Sequence, residues 1–247
     1  MRGKRLDERL AAEGLVESRA QAQGLIRAGR VLVDDVPVDK PGTRVRPEAA
    51  VRVRGELRRF VSRGGEKLAG ALDDLGLDPA DRVCLDVGAS TGGFSDCLLQ
   101  RGAKHVVALD VGYGQLHEKL RQDARVTVLE RTHARDLRAD QLPEAVDLVT
   151  ADVSFISLRL LLPAIQAAAP RAELLLMVKP QFEVGRGQVG KGGVVRDDAL
   201  RESAAAAVRE AAIELGYRPL GQVDSQLAGP KGNREIFLWL EAKTADS

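Results

Sequence analysis

The chain has 247 residues, 44% hydrophobic and 30% charged, and this is length and apolar content enough for one large domain and a small one. No run of eighteen apolar residues is present, and the first residues turn polar and acidic at once, so neither a membrane span nor a signal peptide is expected. The net charge of +1 conceals an asymmetry: residues 1–63 carry 15 basic against 9 acidic side chains and the remainder 22 against 27, which points the first part toward a polyanion.

Leu6, Leu10 and Ala11 mark a first helix that Gly14 stops. Ser18 to Gln21 has the form of a capping box opening a second helix, which Gly29 ends. On that second helix Arg19, Gln23 and Arg27 recur every four residues and share a face, which Arg30 extends, while Ala22, Leu25 and Ile26 turn the other way. Val31, Val33, Val36 and Val38 around Asp34-Asp35 read as strand, turn and strand, and Pro41-Gly42 turns the chain toward Val45, Val51 and Val53. Arg5-Leu6-Asp7, Ser18-Arg19, Ile26 to Val33 and Pro37-Val38 resemble the small RNA-binding domain named after ribosomal protein S-four. That resemblance implies binding of structured RNA through Arg5, Arg19, Gln23, Arg27 and Arg30. A row of such side chains suits phosphates and helix shape better than sequence.

Residues 54–66 are charged and glycine-containing, as a linker would be, with Phe60 expected as an exposed aromatic among arginines. The expected division is an RNA-binding domain over 1–59, a linker over 60–66 and a second domain over 67–247. A helix is expected from Lys67 to Leu75, placing Lys67 near its N-terminus, where the dipole disfavours a cation.

The stretch Val83 to Ser95 then reads as a strand ending in Asp86-Val87-Gly88, a turn through Ala89, Ser90, Thr91, Gly92 and Gly93, and a helix resuming at Phe94. Glycines at 88, 92 and 93 let a ligand lie against bare main chain at a helix start. The spacing is not the G-x-G-x-x-G of a dinucleotide loop. An acid ending the strand is more typical of S-adenosylmethionine sites. The next strand ends at Asp110, where a ribose hydroxyl pair needs an acceptor. Cofactor contacts are therefore expected from Asp86, Gly88, Ala89, Ser90, Thr91, Gly92, Phe94 and Asp110, together with Asp152 farther along the chain.

Further strands are expected at 126–129, 146–152, 173–179 and 235–240, with helices at 156–169 and 198–215 and a glycine-rich lid over 185–193. Alternating strands and helices imply an α/β doubly wound, Rossmann-like sheet with ligands beyond the carboxyl ends of its strands. Asp152 and Lys179 end two of those strands, so they should reach the same rim. A structural ion pair between them remains open. Cys84 and Cys97 read as buried thiols of a reducing compartment, and His105, His117 and His133 lack ligand spacing, so no metal site is expected.

Ser62 to Leu68, Asp86-Val87-Gly88 with Gly92-Gly93-Phe94, Ala151 to Leu158, Val178 to Glu183 and Gly232 to Glu235 resemble, in order, the hemolysin A-like (TlyA family) rRNA methyltransferases. The resemblance implies an FtsJ-like methyltransferase domain, S-adenosylmethionine as cofactor, ribosomal RNA or ribosomal subunits as partner, and a cytoplasmic location. It further implies methylation of a cytidine ribose 2′-hydroxyl through a catalytic set at Lys67, Asp152, Lys179 and Glu235. In such chemistry a lysine serves as base only if burial or a neighbouring cation favours its neutral form; otherwise it stabilises the oxygen as a cation. Two other methyl-transfer chemistries lack their marks: there is no Pro-Pro-aromatic turn after Asp152, and no cysteine at the rim. The alternatives are a non-catalytic rRNA-binding assembly factor and a membrane-lytic hemolysin, the latter without a spanning or strongly amphipathic basic segment.

Overall fold

The computed structural model describes residues 3–16, 18–55 and 59–243. The chain divides into two compact units, 1–58 and 59–247.

In the first unit β1 (Lys4–Arg5) leads directly into α1 (Leu6–Ala12), and α2 (Arg19–Arg27) follows with Ser18 Oγ accepting from Gln21 N. Three short strands, β2 (Val31–Val33), β3 (Val36–Pro37) and β5 (Val51–Val53), form an antiparallel sheet in the order β3-β2-β5. Asp34 and Asp35 both take left-handed backbone angles, as the tightest hairpin turn requires. β4 (Arg44–Val45) pairs with β1, a two-residue ladder too short to leave a periodic signal. Leu6, Leu10, Ala22, Ile26, Val31 and Val45 close the core.

The second unit is a seven-stranded sheet. Its strands are β6 (Val83–Val87), β7 (His105–Leu109), β8 (Val126–Leu129), β9 (Leu148–Ala151), β10 (Glu173–Val178), β11 (Tyr217–Asp224) and β12 (Ile236–Ala242). They lie in the order β11-β12-β10-β9-β6-β7-β8, all parallel except β12, which runs against both its neighbours. The strand order reverses at β6, between β7 and β9, the place where open α/β sheets hold ligands. Alternation along the strands feeds two cores. Val83, Leu85 and Val87 pack with α6 (Leu162–Ala168) and α8 (Asp198–Glu214). Cys84, Leu175 and Met177 pack with α3 (Arg63–Leu75) and α4 (Gly93–Gln100). Shorter helices α5 (Glu118–Arg121) and α7 (Pro180–Glu183) complete the unit.

Several expectations differ from what forms. Helix α3 begins at Arg63, capped by Ser62 Oγ, so Lys67 lies beyond the first turn and the dipole mismatch at its position is weak. Phe60 is buried, not exposed: its ring packs in the α3/α4 core, and an added Cβ on Gly65 would meet it at 2.4 Å. Of the segment read as a linker, 56–58 lie outside the described residues. The helix expected over 156–169 is a one-turn 3-10 segment (Leu158–Leu160) followed by α6, and Phe155 just before it has φ +68°. β11 goes unannounced in the sequence because it contains Pro219 and Gly221. It tolerates both because it is an edge strand whose register shifts between them. Cys84 and Cys97 are buried, and burial pushes both thiols up to about 12.

Candidate active site

The loop after β6 brings the glycine-rich stretch to the switch point. Gly88 has φ +85°, and a Cβ there would come within 2.6 Å of the Asp152 carbonyl, so the β6 and β9 loops pass at a distance only glycine permits. Gly93 serves a similar closeness between the starts of α3 and α4, where a Cβ would meet Ser62 Oγ at 2.1 Å.

Asp86 is fully buried on the α4 side of β6. Its Oδ2 accepts from Ser95 N at 2.9 Å and Ser95 Oγ at 2.6 Å, while its Oδ1 has no partner. Burial, with the neighbouring charges of Asp152 and Asp110, lifts the carboxyl to about 7 against the opposing hydrogen bonds from Ser95. Asp110, at the end of β7, accepts from Ser90 N at 2.8 Å and Gly112 N at 2.7 Å, which ties the glycine-rich loop to the next strand. Gly92 N donates to Ala89 O at 2.7 Å, and His117 N donates to Thr91 O at 3.1 Å, so the loop is held from both sides. Phe94 stacks against Phe237 with ring centres 6.1 Å apart.

Two ion pairs stand beside this loop. Lys179, directly after β10, places Nζ 2.5 Å from Asp152 Oδ1 and donates to Ser154 Oγ at 2.8 Å. Lys67 on α3 donates to Glu235 Oε2 at 2.5 Å, and both side chains are removed from water. Burial raises the Glu235 carboxyl above its usual range despite the opposing pull of Lys67. Glu235 reaches this rim because β12 is reversed: Val178 pairs with Ile236, which sets position 235 beside 179 at the carboxyl ends of the parallel strands.

All four residues line one cavity of about 650 Å³, with Asp86, Gly88, Ala89, Ser90, Thr91 and Phe94. A second cavity of about 630 Å³ contains Asp110 and shares Gly88, Ser90, Asp152, Ser154 and Phe155 with the first. Gly92 is not among the lining residues of either; it supplies the left-handed turn into α4. Phe155, 92% exposed, stands at the shared mouth against Phe182, ring centres 5.3 Å apart. Part of the glycine-rich segment 185–193 borders the first cavity, and buried Asn233 anchors its far end, donating to Gly193 O and accepting from Val195 N.

Sequence reasoning misses three supports. Ser154 holds Lys179, Ser95 holds Asp86, and Glu183 accepts from Ser157 Oγ at 2.5 Å and Leu158 N at 2.7 Å, joining the loop after β10 to the loop after β9. In the sequence Glu183 is marked only as the last residue of the Val178 to Glu183 stretch, without a role. Among the described residues no cluster of metal-ligating side chains occurs.

In the first unit Arg5, Arg19 and Gln23 converge on Asp7. They therefore do not stand as a free row with Arg27, which is exposed, and Arg30 donates to Arg54 O.

An FtsJ-like methyltransferase family model matches residues 60–242, and an S4 domain model matches residues 4–51. The chain is 53% identical to the 16S/23S rRNA (cytidine-2′-O)-methyltransferase TlyA of Mycobacterium tuberculosis, over 98% of this chain and 91% of that protein. It is 41% identical to Hemolysin A of Brachyspira hyodysenteriae, over 94% of this chain and 98% of that one. A solved structure from Streptococcus thermophilus, 39% identical, superposes with a TM-score of 0.74 over 98% of this chain and 90% of its own.

Proposed function

The chain belongs to the TlyA family, FtsJ-like methyltransferases with an N-terminal S4 domain, and we propose that it methylates the ribose 2′-hydroxyl of a cytidine in ribosomal RNA, in the cytoplasm. The observation that carries this reading is the meeting of the Lys179–Asp152 and Lys67–Glu235 pairs in one cavity, beside the glycine-rich loop of β6.

The residues present fit S-adenosylmethionine as cofactor. Asp86 Oδ1 is a buried acceptor without a partner, and the two cavities that share Gly88 and Ser90 each carry an acid, Asp86 in the first and Asp110 in the second. Asp86 and the loop residues 88–91 would hold the amino-acid end. Asp110, which keeps acceptor capacity beyond its two backbone bonds, would hold the ribose. When bound, the cofactor supplies a methyl group on a sulfonium, open to in-line displacement.

The chain's own task is then to place the ribose oxygen and ease its loss of a proton. Lys179 Nζ, steadied by Asp152 and Ser154, would face the hydroxyl and, as a cation, stabilise the negative charge that develops on its oxygen while the proton passes to water. Lys67, fixed by Glu235, adds a second positive charge deeper in the same wall. Phe155 and Phe182 present ring faces at the mouth, where an unstacked base would lie. The first unit engages RNA phosphates through Arg5, Arg19, Gln23, Arg27 and Arg30, and the two compact units support a division into an RNA-binding part and a catalytic part. No helix among the described residues is long and apolar enough to cross a membrane.

The test is transfer of labelled methyl from S-adenosylmethionine to isolated small subunits, large subunits and naked rRNA. Wild type should label at least one of them. K179A should bind the same RNA and transfer nothing, and undiminished transfer by K179A would remove the assigned role. Salt-sensitive RNA binding by a wild type that transfers no methyl would favour a non-catalytic assembly factor.

A further inference from the structure

Position 7 lies on the face of α1 that also carries Leu10 and Ala11, three and four residues on, where periodicity favours an apolar side chain. An aspartate stands there instead, with its side chain fully buried. Asp7 Oδ1 accepts from Arg5 Nε at 3.0 Å and Glu8 N at 3.0 Å. Its Oδ2 accepts from Arg5 Nη2 at 3.0 Å, Arg19 Nε at 2.9 Å and Gln23 Nε2 at 2.9 Å. One carboxylate on α1 thus gathers side chains from β1 and α2 and a backbone N–H of its own helix. The guanidinium of Arg5, more than any other partner, holds that carboxyl well below the usual range. Yet the arginines are not buried with it: their side chains remain 38% and 50% exposed.

We propose that Asp7 is a positioning residue of the RNA-binding face, a buried carboxylate that orders Arg5 and Arg19 before RNA arrives. The proposal rests on the RNA-binding reading above and deepens it. Asp7 grips Arg5 bidentately through Nε and Nη2, which fixes the plane of the guanidinium and leaves its Nη1 free of the carboxylate. Nη1 lies against Gly42, where a Cβ would sit 3.1 Å away, so the glycine makes room for that outer edge. Arg19 is held by Asp7 through Nε and reaches Glu8 Oε1 at 3.3 Å through Nη2. Side chains ordered at folding need not be ordered again at binding, and this is where the gain in affinity arises.

Charge alone and positioning predict opposite signs for one substitution. Asp7→Asn removes a negative charge from a face that meets a polyanion, so Coulomb attraction alone would tighten binding. Loss of positioning weakens it. For the full chain binding naked ribosomal RNA, D7N should raise Kd about tenfold and make the salt dependence shallower, by about 0.9 in log–log slope for each duplex phosphate no longer neutralised. In methyl transfer the KM for RNA should rise, with kcat and affinity for S-adenosylmethionine unchanged. Gly42→Ala crowds Arg5 while leaving Asp7 and every charge in place, and should weaken RNA binding in the same direction even if D7N fails to fold. Binding by folded D7N as tight as wild type or tighter, or wild-type affinity in Gly42→Ala, would overturn the proposal. Wild type that binds no rRNA in a salt-dependent way would instead remove the RNA-binding reading, and the proposal with it.

Discussion

Replacing Glu235 by glutamine should cost stability far beyond the change of one atom. The Lys67 and Glu235 side chains are 8% and 2% exposed and their charged atoms lie 2.5 Å apart, so each has exchanged water for the other. Removing one partner of such a pair leaves a buried charge without compensation, at a cost of about 3–5 kcal/mol. For a unit the size of residues 59–247, 1 kcal/mol moves the thermal midpoint by roughly 2–4 °C, so E235Q should melt roughly 6–20 °C lower. The lower end is the better guide, because glutamine keeps an oxygen facing Lys67. The double variant K67M/E235L removes both charges and should recover most of the loss, yet transfer no methyl. Scanning calorimetry of the full chain, paired with the methyl-transfer assay, separates the two effects. An E235Q midpoint equal to wild type would refute the reasoning, and so would a double variant less stable than the single one.

Because burial lifts Asp86 to about 7 from an ordinary 3.8, the folded chain keeps a proton that the unfolded chain has released between those pH values. Stability linked to this residue therefore falls as pH rises from about 4 to 7. D86N should stabilise the cofactor-free chain above pH 7 by up to about 4 kcal/mol, show no such gain below pH 4, and bind S-adenosylmethionine more weakly; equal gains at both pH values in thermal melts would contradict this. Phe155→Gly relieves a left-handed backbone angle at an exposed side chain, so the melting midpoint should hold or rise slightly while the KM for RNA increases. A midpoint several degrees lower, or unchanged kinetics, would argue against that role for the ring. Glu183→Ala leaves Ser157 Oγ and Leu158 N without their acceptor and should cost about 1–3 kcal/mol in denaturant unfolding and lower kcat, whereas Glu183→Gln should retain most of both. Equal losses in the two variants would deny the hydrogen bonds that importance.

The parts of this molecule that sequence reveals are those written in local pattern. The strand, glycine turn and helix around Asp86-Val87-Gly88 follow from apolar period and turn chemistry, and Asp110 and Lys179 from their places at strand ends. What escapes depends on partners distant in the chain. β11 holds Pro219 and Gly221 and exists because β12 supplies a neighbour. Phe60 reads as exposed among arginines until α3 and α4 are brought against it. Glu235 is reached only through family resemblance, since nothing local announces that β12 runs backward and returns its first residues to the rim of the parallel strands. Asp7 and Ser154 each sit in a legible motif, but their tasks emerge only when Arg19 and Lys179 arrive from elsewhere in the chain.

The central claim, that this site methylates a ribose oxygen, is tested most directly by digesting rRNA labelled by the enzyme with alkali and identifying the product by mass. A 2′-O-methyl group blocks the neighbouring phosphodiester from cleavage, so the account predicts label in an alkali-resistant dinucleotide containing 2′-O-methylcytidine. Label released in a single nucleotide methylated on its base would keep the methyltransferase and contradict the roles given to Lys67, Asp152, Lys179 and Glu235.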